Sequence, residues 1–149
     1  MLIPELYNIF KQHPVVTTDS RVCPEGSIFF ALKGPNFNGN EFAEKALEKG
    51  CSYSVVDEWD KNTNRSKRII LVDDVLTALQ QLANHHRKQF KTPVVAITGT
   101  NGKTTTKELI AAVLAKELKV VYTQGNYNNH IGVPLTVVSM TKEHEIAVV

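Results

Sequence analysis

The chain has 149 residues, 42% of them hydrophobic and 21% charged, which describes a globular protein and excludes a disordered one. A formal net charge of +2 is too small to argue for a nucleic-acid or membrane surface, and no apolar run reaches the ~18 residues of a membrane span. Cys23 and Cys51 stand outside any CxxC pair and the N-terminus lacks a basic n-region, so free thiols, no signal peptide and a cytoplasmic location are expected.

Ile3, Leu6, Tyr7 and Phe10 recur at helical spacing and predict a helix over 3–12, stopped before Pro14. "VVTT" (15–18) and "SIFFAL" (27–32) read as strands, separated by the turn-rich "DSRVCPEG". A helix over about 40–49 follows, with Gly50 placed to end it in a left-handed conformation. "YSVVD" (53–57) and "RIILV" (68–72) predict two more strands, joined by a basic stretch, 61–68, that reads as a solvated loop. Asp73 or Asp74 offers an N-cap for a long helix over about 75–90, on which His85 and His86 lie about 100° apart and do not converge on one ligand.

From Thr92 the pattern changes. "PVVAIT" is an apolar run of the kind that forms a strand buried on both faces of a parallel sheet. A glycine loop, a helix over about 103–117, a strand over 119–123, a short helix over about 133–140 and a strand "IAVV" complete a βαβ pattern. The expected fold class is α/β, in two lobes. Residues 1–90 form a small α/β lobe, and 91–149 the first part of a doubly wound, mostly parallel domain, with the boundary near 90–93.

The glycine loop reads "TGTNGKTTT" (98–106). Gly99 and Gly102 let backbone N–H groups converge on one concavity at the positive end of the following helix. Lys103 supplies a charge for terminal phosphates, and Thr104 a hydroxyl where Mg²⁺ would sit. A glycine turn with an incidental lysine is the bland alternative. The G-K-T triplet between a strand and a helix favours phosphate, in the short form G-x-x-G-K-T. A nucleoside triphosphate with Mg²⁺ is therefore expected at Gly99, Thr100, Asn101, Gly102, Lys103, Thr104 and Thr105. Elsewhere, Asp19-Ser20-Arg21 is either a planar fork for a diphosphate or uracil, or only a turn with a local ion pair. Asn126, Asn128 and Asn129 follow the strand at 119–123 and serve either a ligand at the sheet's carboxyl end or the loop's own turns; Tyr127 stacks on a ligand or packs under the loop.

"TGTNGKTTTKE" (98–108) resembles the ATP loop of the Mur ligase family. "TTDSRVCPEGSIFFALKGPNFNGNEFAEKALEKG" (17–50) resembles the UDP-binding domain that leads the members acting on the later UDP-muramoyl peptides, through its D-S-R turn, its P-x-G-x-[IL]-F strand and its G-x-x-F-x-G segment. "TQGNYNNHIGVPLT" (123–136) resembles that family's G-N-x-N-N-x-I-G-x-P segment. Two departures are visible: Asn38-Gly39-Asn40 stands where many members have Asp-Gly-His, and His130 where Glu is common.

The resemblance implies an ATP-dependent amide-bond ligase of peptidoglycan precursor synthesis, working through an acyl phosphate on UDP-N-acetylmuramoyl-tripeptide, with D-alanyl-D-alanine as the incoming amine. The alternatives are addition of lysine or diaminopimelate to UDP-N-acetylmuramoyl-dipeptide, or a non-catalytic nucleotide-binding module. It implies Lys103 and Thr104 as catalytic residues, Thr104 as a Mg²⁺ ligand, and Ser20, Arg21, Asn126, Asn128 and Asn129 as substrate contacts in a monomer with no nucleic-acid or membrane partner. Family members carry a Mg²⁺-holding glutamate, adenine contacts and a C-terminal domain beyond the part matched, so residues 1–149 alone are expected to be inactive.

Overall fold

The computed structural model describes residues 2–60, 66–125 and 127–149. The chain divides into two compact units, Met1–Leu82 and Ala83–Val149.

In the first unit, α1 (Ile3–Gln12) is followed by β1 (Val16–Thr17) and β2 (Ile28–Phe30). A small antiparallel hairpin, β3 (Lys33–Gly34) and β4 (Phe37–Asn38), leads into a 3₁₀ turn at Gly39–Phe42 and then α2 (Ala43–Glu48). Strands β5 (Tyr53–Val56) and β6 (Ile69–Leu71) complete a four-stranded sheet of order β1-β2-β5-β6, parallel throughout. Register sorts the core. Phe29 pairs with Ser54, and Ser54 with Ile69, on the face where Ala43 and Ala46 of α2 pack with Phe29, Val56 and Ile69. The Ser54 hydroxyl donates to the Ala43 carbonyl at 2.7 Å on that face. Ile28, Phe30 and Val55 alternate to the other side and are fully buried. The helix expected at 40–49 thus begins as a 3₁₀ turn, because the Asn38 side chain accepts the Asn40 N–H and tightens the entry. Residues 61–65 of the basic stretch lie outside the described residues.

The helix α3 (Val75–Arg87) carries the division between the units. Its N-terminus is held by Asp74, whose carboxylate accepts the Thr77 N–H at 2.6 Å, and by Asp57, which accepts the Val75 N–H at 3.2 Å. At its other end His86 is buried. Its Nε2 lies 2.9 Å from the Met140 carbonyl and its ring meets Phe90 edge-on; burial pushes its pKa down. His86 is thus a buried residue of this helix, a position that its spacing from His85 did not indicate.

In the second unit, β7 (Val94–Val95), β8 (Val120–Tyr122) and β9 (Ile146–Val148) form a parallel sheet of order β7-β9-β8, with α4 (Lys103–Leu114) and α5 (Gly132–Val138) in the crossovers. Val121, Met140 and Ala147 make its core, with Phe90 and Val137 against them. One expectation is corrected here. "PVVAIT" is not a strand buried on both faces: β7 is two residues long, sits at the sheet's edge, and leaves Val94 38% exposed. Among the described residues only β9 pairs with it, and Val95 is half-buried. The ladder still continues through Ile97, whose N–H donates to the Val149 carbonyl at 2.8 Å, and this carries the chain to the glycine loop at the carboxyl end of the sheet. No described helix is long and apolar enough to cross a membrane.

Candidate phosphate and nucleotide sites

Gly102 opens α4 with φ 76°, and Gly99 precedes it at φ 144°. A Cβ at Gly102 would meet nothing within 4 Å, and one at Gly99 only the Asn101 carbonyl oxygen at 4.0 Å. The left-handed backbone, not crowding, requires glycine at 102, and it leaves open space before the helix. No side chain caps α4, so its first N–H groups face that space with the helix's positive end behind them. Uncapped N–H groups at a helix's positive end are donors suited to an anion.

The Lys103 ammonium folds back to donate to the Gly99 carbonyl. Lys103, Thr104 and Asn128 share one small cavity of about 20 Å³ with Ile97, Lys107, Thr123, Gly125 and Val149. The geometry therefore brings together the loop's lysine and threonine with one of the three asparagines. Asn129 is placed differently: its carboxamide oxygen accepts the Ile131 and Gly132 N–H groups at 3.1 and 2.8 Å at the start of α5. Asn126 lies outside the described residues. Tyr127 is 59% exposed and does not pack beneath the loop.

The chemistry of these donors fits a triphosphate better than a free metal ion. Thr104 offers one hydroxyl, and the described residues contain no group of three His, Cys, Asp or Glu able to hold a metal. Mg²⁺ is suited to such a place, because it takes few protein oxygens and fills its shell with phosphates and water.

Sequence reasoning missed Lys107. It stands four residues after Lys103, one turn along the same face of α4, and Ala111 follows at the same spacing. Lys107 is 5% exposed, and its Nζ donates to the Thr123 and Gly125 carbonyls, the latter at 2.5 Å, with Glu108 Oε1 at 3.1 Å. The signal was available as a lysine in register with buried positions of an amphipathic helix.

In the first unit, Ser20 and Arg21 line a groove of about 450 Å³ with Thr18, Asp19, Phe29, Leu32, Phe37, Gly39 and Phe42. The Phe37 ring is 58% exposed and Phe42 is partly exposed, flat apolar surfaces of the sort a nucleobase covers. Arg21 is already paired: Nε lies 2.9 Å from Asp19 Oδ1, and Nη2 2.7 Å from Oδ2. Those hydrogen bonds hold the Asp19 carboxyl at about 2, so the pair persists at neutral pH and fixes the plane of the guanidinium. Both readings of this turn are thus compatible with one geometry: a local pair that leaves the Nη1 side of the fork for an acceptor. Lys49 anchors the turn by donating to the Ser20 carbonyl at 2.9 Å. Asn40, next to Gly39 of the groove, ties the 3₁₀ turn to the end of β5, donating to Asp57 Oδ1 at 2.9 Å and accepting the Asp57 N–H at 3.1 Å.

Residues 14–87 match the catalytic domain of the Mur ligase family, and residues 97–149 the Mur ligase middle domain. The chain belongs to the Mur ligase family. It is 47% identical over 133 residues to the UDP-N-acetylmuramoyl-tripeptide–D-alanyl-D-alanine ligase of Bacillus subtilis, a match covering 89% of this chain and 29% of that protein. Among solved structures, MurF from Acinetobacter baumannii superposes with a TM-score of 0.80 at 36% identity, covering 89% of this chain and 29% of that one. The MurF ligase of Thermotoga maritima in complex with ADP gives a TM-score of 0.79 at 34% identity, covering 92% of this chain and 31% of that one. The chain thus spans just under a third of the length of these relatives.

Proposed function

We propose that this Mur ligase chain supplies the nucleotide-sugar-binding unit and the phosphate loop of an enzyme that joins D-alanyl-D-alanine to UDP-N-acetylmuramoyl-tripeptide at the expense of ATP, in the cytoplasm. The observation that carries the proposal is the start of α4, where Gly102 leaves the helix without a side-chain cap and Lys103, Thr104 and Asn128 line one cavity. The names of the similar ligases, and the ADP held by the Thermotoga relative, support the choice of substrates.

On this reading ATP phosphorylates the terminal carboxylate of the muramoyl peptide, and the amine of D-alanyl-D-alanine then attacks the acyl phosphate, forming the amide and releasing phosphate. The protein's part in the first step is positioning and charge neutralisation, because the transferred phosphoryl group needs little covalent assistance. Lys103 leaves the Gly99 carbonyl for the β- and γ-phosphate oxygens, while the N–H groups of 101–105 line the anion's other side. Thr104 would hold Mg²⁺, which supplies charge neutralisation across those same phosphates. Asn128, and Asn126 and Asn129 beside it in sequence, orient the acceptor carboxylate with amide donors.

In the first unit the uridine end of the substrate lies in the groove beside Phe37, with Ser20 and Arg21 on its diphosphate or uracil. Arg21→Lys is expected to weaken UDP-substrate binding about tenfold, since an ammonium reproduces neither the fork toward the ligand nor the two-point contact to Asp19. Titration of both proteins with the UDP-muramoyl peptide checks this, and equal affinities would remove Arg21 from the site.

The turnover is that of the full-length enzyme, and residues 1–149 by themselves are proposed to release no phosphate. The deciding experiment is a product assay on the full-length enzyme with UDP-N-acetylmuramoyl-tripeptide, offering D-alanyl-D-alanine in one arm. The other arm offers lysine or diaminopimelate with UDP-N-acetylmuramoyl-dipeptide. Product only in the second arm would assign the chain to the ligase that adds the third residue.

A further inference from the structure

Lys107 is a buried charge that the phosphate-loop reading does not use. Burying an ammonium is unfavourable unless its donors are satisfied, and an apolar side chain would pack α4 against the sheet at least as well. Its three N–H donors have three acceptors: the carbonyls of Thr123 and Gly125, and Glu108 Oε1 at 3.1 Å. None is left over for a phosphate, so Lys107 does not act as a second Lys103.

What the two carbonyls share is their place. They lie just past the end of β8, where the chain leaves the sheet and turns at Gly125 with φ 50°. The Thr123 hydroxyl is buried and has no hydrogen-bond partner among the described residues, so the side chain of Thr123 does not hold the turn. The backbone does, through its N–H to the Val148 carbonyl at 3.1 Å, and Lys107 does, from α4. Three residues beyond Gly125 the chain reaches Asn128, which lines the same cavity as Lys103 and Thr104.

We infer that Lys107 is a positioning residue, clamping the 123–125 turn to the phosphate-loop helix so that Asn128 stands at a fixed distance from Lys103. The inference rests on the phosphate-loop reading above. Its consequence is a division of labour on one helix: Lys103 contacts the nucleotide, and Lys107 sets where the acceptor substrate lies relative to it. Near-attack geometry is sensitive to displacements of an ångström, so loosening the turn lowers the rate of phosphoryl transfer while the nucleotide still binds.

The test uses the full-length enzyme with Lys107→Met, Lys107→Arg and Lys103→Ala. ADP affinity is measured by calorimetry, turnover by phosphate release, and folding by thermal denaturation. Lys107→Met is expected to bind ADP within threefold of wild type, with kcat lowered about thirtyfold or more and KM for the UDP-peptide raised. Lys107→Arg, whose guanidinium can still reach carbonyl acceptors, is expected to fold, to keep ADP affinity and to lose kcat less severely. A kcat within threefold of wild type in Lys107→Met would overturn the inference. So would a loss of ADP affinity, turnover and melting temperature together, which marks a merely structural lysine. If Lys107→Met does not fold, Lys107→Arg decides by the same criteria: more than threefold lower kcat with unchanged ADP affinity supports the clamp, and any other pattern removes it. If Lys103→Ala keeps both ADP affinity and turnover, the phosphate-loop reading fails and the clamp falls with it; if only Lys103→Ala is impaired, the clamp alone fails.

Discussion

Lys103→Ala in the full-length enzyme is expected to lower phosphate release roughly a thousandfold, equivalent to about 4 kcal/mol of transition-state stabilisation. The magnitude follows from the position of the charge. At the start of α4 the backbone N–H groups and the helix end supply partial charges, and Lys103 is the full cation placed among them. As phosphoryl transfer proceeds, negative charge grows on the oxygens the ammonium faces, so its loss is felt more in the transition state than in the bound nucleotide. Stability is expected to be nearly unchanged, because the Lys103 ammonium donates to the Gly99 carbonyl in an exposed loop that water can solvate. Phosphate release and thermal denaturation, measured on the same preparation, separate the two effects. Turnover within tenfold of wild type would remove the lysine from the chemistry, and a fall in melting temperature equal to that of a core variant would assign it a structural task.

The elements of this chain were legible where one local rule governed them. Residues 3–12 form the helix that Ile3, Leu6, Tyr7 and Phe10 require, and the G-x-x-G-K-T loop opens a helix because glycine before an amphipathic run does little else. The strands 53–57 and 68–72 are found at Tyr53–Val56 and Ile69–Leu71. What escaped was set by partners distant in sequence. The 92–97 run looked doubly buried because apolar composition reports the chance of cover, and its place at a sheet edge is decided by which strands pair. The β3–β4 hairpin is two residues a side and lies in a stretch without alternation, so no period announced it. In the candidate site, the left-handed glycine before α4 and the neighbouring Lys103 and Thr104 could be read from the sequence, since local backbone geometry fixes them. Lys107 was legible only in part: its spacing from Ala111 marks a buried helix position, but its acceptors are main-chain carbonyls 16 and 18 residues away, and carbonyls carry no sequence signature. Arg21 and Asp19 fell between: the pair was foreseeable from proximity, but whether it shields the fork or presents it depends on the groove beside it.

The G-x-x-F-x-G segment gives the second large effect, and its two glycines are expected to behave in opposite ways. A Cβ on Gly39 would lie 2.3 Å from the Leu32 carbonyl oxygen, 2.6 Å from the Ala31 carbonyl carbon and 2.9 Å from the Leu32 nitrogen. All three are backbone atoms that cannot rotate away, at the end of the buried strand β2 and its continuation through Ala31. The Gly39 N–H also donates to that Leu32 carbonyl at 3.0 Å, so relief of the clash breaks a buried hydrogen bond. Gly39→Ala is therefore expected to cost about 3 kcal/mol or more, at the upper end of overpacking effects. For a unit of this size that lowers the melting temperature by about 12 °C or more. For a Cβ on Gly34 the three nearest atoms all belong to the Phe37 ring, the first at 2.2 Å, and that residue is 58% exposed, so the ring can swing away. Gly34→Ala is expected to leave the melting temperature within about 3 °C of wild type while displacing Phe37 in the 450 Å³ groove. Its signature is weaker UDP-substrate binding in a stable protein. Denaturation and substrate titration on both variants decide the matter. Equal melting temperatures would show that the 31–39 backbone yields more easily than its contacts imply, and undiminished affinity in Gly34→Ala would take the Phe37 ring out of the nucleotide site.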